Sequence, residues 1–98
     1  MSSEGDETSG IEFQGGDGRS IEDAVIILNA RSTMEGIDAE MKFIASIHGE
    51  HGRDWLKRHQ SLLENEGKEF DAIDIELRDG TELTYFFNIS DFFGKSLF

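Results

Sequence analysis

Four side chains able to bind a metal or move a proton lie close together at His48, Glu50, His51 and Asp54. Imidazoles three residues apart can share a transition metal when both sit on one helical turn. Gly49 and Gly52 interrupt that turn. The spacing also differs from His-Glu-x-x-His, which puts two imidazoles and a glutamate base on one helix face. His48, Glu50 and His51 are therefore metal-ligand candidates set against a plainer reading, a polar loop that ends a helix. His59 reads as a packing residue rather than a ligand. No motif implies a cofactor.

Asp71, Asp74, Glu76 and Asp79 form an acidic ladder. Asp74 and Glu76 would project from one strand face, one pleat apart. Paired carboxylates can hold a divalent cation or share acid–base work, but nothing in the sequence sets a nucleophile beside them. Their alternation with Ile73, Ile75 and Leu77 is what a solvated strand face predicts. The functional alternative is a face that docks a basic partner through Asp74 and Glu76. Arg53, Lys57, Arg58 and His59, with Trp55 among them, are the only basic concentration. On a helix, Arg53 and Lys57 would align and could hold an anion. Pairing with the chain's own carboxylates is the simpler account.

Gly15-Gly16-Asp17-Gly18 lacks the Gly-Lys-Ser/Thr ending of a phosphate loop, and no Gly-x-Ser-x-Gly elbow occurs. These residues read as a hinge. The chemistry legible here does not amount to an enzyme.

The elements that must position these residues belong to one domain, since the chain has 98 residues. A net charge of −12 removes the cationic footprint that nucleic-acid phosphate and anionic membrane surfaces require. It favours basic protein partners. There is no cysteine, which fits a reducing compartment. No apolar run approaches a membrane span, and the N-terminus carries no signal pattern. A cytoplasmic location is expected.

Residues 1–18 hold five acidic residues, no Lys or Arg, and many Gly and Ser. Such a segment buries too little apolar surface to order itself. A flexible acidic tail is expected over 1–18, with the folded domain over 19–98. Ala24 to Leu28 reads as a buried strand. Ser32 and Glu35 match a capping box, although Gly36 weakens that start. Ile37 to Ile47 reads as a helix with Ile37, Met41, Ile44 and Ala45 or Ile47 on one face, stopped by Gly49. Arg53 to Glu64 reads two ways. Trp55, Leu56, His59, Leu62 and Leu63 favour a helix by spacing. Phe70 to Leu77 and Glu82 to Ile89 alternate as strands around an Asp79-Gly80 turn.

Gly16-Asp17-Gly18-Arg19-Ser20, Gly36-Ile37-Asp38-Ala39-Glu40, Gln60-Ser61-Leu62-Leu63, Gly67-Lys68, Asp79-Gly80 and Phe87-Asn88-Ile89-Ser90-Asp91-Phe92-Phe93-Gly94-Lys95 together resemble a group of small bacterial proteins of unknown function. The resemblance covers residues 15–95. It carries no activity, cofactor or site residue. It implies a topology in which Trp55 to Leu63 is a strand paired with Phe70 to Leu77.

The expected fold is α+β: one main helix packed on an antiparallel sheet of three to four strands that ends in a hairpin or meander. The C-terminal Phe92, Phe93, Leu97 and Phe98 are an apolar excess for a chain end. If exposed, they form a partner-seeking patch, and a homodimer through them is expected. The leading function is a non-enzymatic acidic module that binds another protein, as a regulator or immunity-type inhibitor. The alternatives are a small ligand- or metal-binding protein or enzyme with its site near the His48–His59 segment, and a structural subunit of a larger complex.

Overall fold

The computed structural model of the chain describes residues 10–98. Its elements are β1 (Glu12–Gly15), β2 (Val25–Leu28), α1 (Thr33–His48), β3 (Trp55–Asn65), β4 (Lys68–Leu77) and β5 (Glu82–Asn88). The strands form one sheet in the order β1-β2-β5-β4-β3. Only β2 and β5 run parallel; the other neighbours are antiparallel. The helix packs on one face, so the fold is α+β, with one strand more than expected.

The extra strand is β1. It lies within the segment expected as a tail and pairs with β2 from Glu12↔Leu28 to Gly15↔Val25. The pairing is supported by the Phe13 ring, 5.3 Å from that of Phe43 on the helix. Ile11 packs against the core beside it. Residues 1–9 of the expected tail lie outside the described residues.

Trp55–Asn65 is a strand, not the helix its spacing favours. It pairs with all of β4, from Trp55↔Leu77 to Asn65↔Lys68, the pairing that the resemblance implied. The register shifts between Lys57 and His59, so Arg58 is the extra residue of a bulge. Two hairpins connect this meander. Glu66 and Gly67 both have positive φ, 54° and 78°, as a two-residue type I′ turn requires. Gly80, at φ 93°, closes the second.

Ser32 caps α1, its hydroxyl accepting the Glu35 N–H at 3.2 Å. Glu35 reaches back to the Arg31 N–H at 2.6 Å, one residue before the position of the standard box. Gly49 ends the helix, donating to the Ala45 carbonyl at 2.8 Å. The buried face runs through Gly36, Ala39, Glu40 and Ile44. Ile47 is half exposed, so the helix is rotated from the face its apolar residues suggest. The cause is Phe92, which is buried and lies where a side chain on Gly36 would be. Phe43 meets Phe87 edge-on at 5.7 Å. Val25, Ile27, Trp55, Ile73, Ile75 and Phe87 complete the core. No helix among the described residues is long and apolar enough to cross a membrane.

Candidate functional site

In the loop after α1 each metal-ligand candidate has a partner of its own. His48 Nε2 lies 2.8 Å from the Tyr85 hydroxyl. Burial and the Arg19 guanidinium both hold the His48 imidazole below its usual pKa, so it is neutral at neutral pH. His51 stacks on Trp55 at 4.4 Å. Asp54 accepts the Glu50 N–H at 2.7 Å and pairs with Arg53 at 3.3 Å, which together lower its pKa. Glu50 itself faces Arg53 at 3.4 Å. Among the described residues, no group of three or more His, Asp or Glu side chains converges to hold a metal ion.

The acidic ladder divides. Asp74 accepts the Thr84 hydroxyl at 2.6 Å and lies 4.0 Å from His59. Glu76 pairs with Arg58 at 3.5 Å. Both carboxylates lie on the sheet face away from the helix, where they find partners within the chain. Asp71 lies on the opposite face, under α1, because it occupies the same side of β4 as Ile73 and Ile75. It is buried.

Above Asp71 is Glu40, fully buried, with both carboxyl oxygens lacking a hydrogen-bond partner. Burial first, then the adjacent Asp71 carboxyl, push the Glu40 pKa up to about 10, against a smaller opposing effect of Lys57. Glu40 is therefore protonated at neutral pH. No direct hydrogen bond to either Glu40 oxygen is closed in this geometry. Asp71 is near enough to accept the Glu40 proton on a small side-chain adjustment, and burial alone already favours the neutral form.

Asp71 lines a groove of about 330 Å³, and Glu40 is buried beside it without lining that groove. The groove walls are Ile37 from α1, Leu62 from β3, and Ile89, Phe92 and Phe93 from the C-terminal segment, with Asp71 as the only acidic lining residue. The C-terminal aromatics thus separate. Phe92 is core, Phe93 is a half-exposed wall, and Leu97 and Phe98 lie outside, Phe98 at 86% exposure. The groove stays open because α1 does not extend over β3, leaving Leu62 at 58% exposure.

Glu40 and Asp71 were not singled out as a pair by the sequence. Gly36, Glu40 and Ile44 recur at intervals of four, which marks one helix stripe, and that is the signal that was available. The chain matches no protein-family model, no curated protein and no solved structure.

Proposed function

We propose that this protein is a non-enzymatic binding module that takes a basic side chain of a protein partner into the groove beside α1. The observation that carries the reading is the buried Asp71 carboxyl in the lining of a largely apolar groove. Asp71 makes no ion pair among the described residues. A carboxylate held in apolar surroundings without a cation is costly, and an incoming ammonium would offset that cost. An aliphatic stem suits walls of Ile37, Leu62 and Phe93, while its charged tip suits Asp71.

Lys95 is the one cation lining the groove, and its ammonium is held by the Ala30 carbonyl at 2.9 Å. Lys57 stands outside the lining and donates to Gln60 Oε1 at 2.9 Å. Asp71 is thus left for a partner's lysine. The net charge of −12 draws basic partners from a distance, with Asp74 and Glu76 adding to the field. Phe93, Leu97 and Phe98 extend the apolar rim for the partner's neighbouring residues. A regulator or immunity-type inhibitor working in a reducing cytoplasm is the role this surface fits.

Backbone amide NMR with a capped peptide bearing one central lysine tests the reading. Saturable shifts should centre on Leu62, Asp71 and Phe93. In Asp71→Asn, with its fold verified by the same spectrum, affinity should fall at least about tenfold. Shifts spread along the acidic surface without saturation, or unchanged affinity in Asp71→Asn, would overturn it.

A further inference from the structure

β3 ends the sheet and is eleven residues long; its outer edge is capped at Trp55, whose carbonyl accepts the Gly52 N–H at 2.7 Å, and is open beyond it among the described residues. Long edges are normally blunted by charge or a bulge. Here those devices are confined to one half. Lys57 and Arg58 sit at the bulge, whereas Gln60-Ser61-Leu62-Leu63-Glu64-Asn65 continues in regular register with β4 and carries a single charge.

The charges along this edge are antisymmetric. Lys57, Arg58 and His59 lie at one end; Glu64 and Glu66 lie at the other. Arg58 has only an exposed pair with Glu76 at 3.5 Å, and neither Glu64 nor Glu66 forms an ion pair among the described residues. An antiparallel copy of the same strand therefore places basic on acidic at both ends. A two-fold axis normal to the sheet keeps like faces together, so the strand can be centred on Ser61 or on Leu62. The first sets Arg58 against Glu64 of the second copy, the second against its Glu66. Centred on Leu62, the exposed leucines meet at the axis on the helix side.

We infer that the protein pairs with a second copy of itself through antiparallel β3 edges, joining the two sheets into one with both helices on the same face. The self-complementary charge selects this occupant over an unrelated strand. It also explains how chains of net charge −12 can meet, because the edge itself is close to neutral. The inference rests on the strand edge and needs no groove ligand, although Leu62 is shared with the groove wall.

Charge reversal with recovery tests it, read by sedimentation equilibrium with circular dichroism as the fold control. The native chain should be a dimer whose Kd rises with salt. Arg58→Glu should raise Kd on the order of tenfold, as should Glu64→Arg with Glu66→Arg. The triple variant should recover dimerisation, which a merely structural lesion would not. Leu62→Asp, which leaves Arg58 and Glu76 intact, should give a monomer of native spectrum. A native chain that is monomeric at its highest attainable concentration overturns the inference. So does a dimer indifferent to all four charge and Leu62 changes, which would point instead to Leu97 and Phe98.

Discussion

A glutamate with no exposed surface must give up either its charge or its solvation. Glu40 gives up its charge. Its folded pKa of about 10 exceeds that of the unfolded chain, near 4.5, so the folded state holds the extra proton between those values. Stability then falls as pH rises through this window, and the deficit is absent below it, where both states are protonated. Glu40→Gln removes the titration while keeping the shape. Its stability advantage should be small at pH 5 and grow toward pH 8, with a ceiling of about 4 kcal/mol over that interval. Urea unfolding at the two pH values measures it. An equal advantage at both would show that Glu40 keeps its charge when folded, and would remove the buried proton beside Asp71.

At the scale of elements, α1 and the C-terminal segment fit through an absence of side chain. Alanine at position 36 improves helix propensity by about 1 kcal/mol, yet its Cβ would overlap the Phe92 ring. Overpacking of this kind costs about 1–3 kcal/mol. Gly36→Ala should therefore lower the melting temperature, and adding Phe92→Leu should recover part of the loss. If Gly36→Ala alone is stabilising, the seating of Phe92 against α1 is wrong. The sequence reads Gly36 only as a weak helix start, because propensity is local and the ring that needs the space lies far along the chain. The same limit explains β3. The bulge at Arg58 places Leu56, His59 and Leu63 on one face, three and four residues apart, and so converts strand alternation into apparent helical spacing. By contrast β4 and β5, which have no bulge, are legible from alternation alone, as are both hairpin turns from their glycines. β1 has one large apolar residue, Phe13, and becomes a strand only because β2 and Phe43 are there to receive it. The groove depends on where α1 lies across the sheet, which no local pattern encodes.

At the scale of the molecule, residues 95–97 close the fold on the start of α1. The Thr33 and Met34 N–H groups, which have no acceptor within α1, donate to the Ser96 and Leu97 carbonyls, each at 2.9 Å. The Thr33 hydroxyl donates to the Lys95 carbonyl at 2.9 Å, and Lys95 Nζ donates to the Ala30 carbonyl at 2.9 Å. The backbone of residues 95–97 is thus structural, while the exposed side chains of Leu97 and Phe98 are not. These two roles separate by experiment. Deleting Ser96 to Phe98 removes two acceptors from the helix N-terminus and should cost about 1–3 kcal/mol in urea unfolding. Leu97→Ser with Phe98→Ser keeps both carbonyls and should stay within about 0.5 kcal/mol of the native chain. Equal losses in the two variants would mean that the side chains, not the carbonyls, hold the terminus. The apolar end would then be part of the core and no longer available as a rim for a partner.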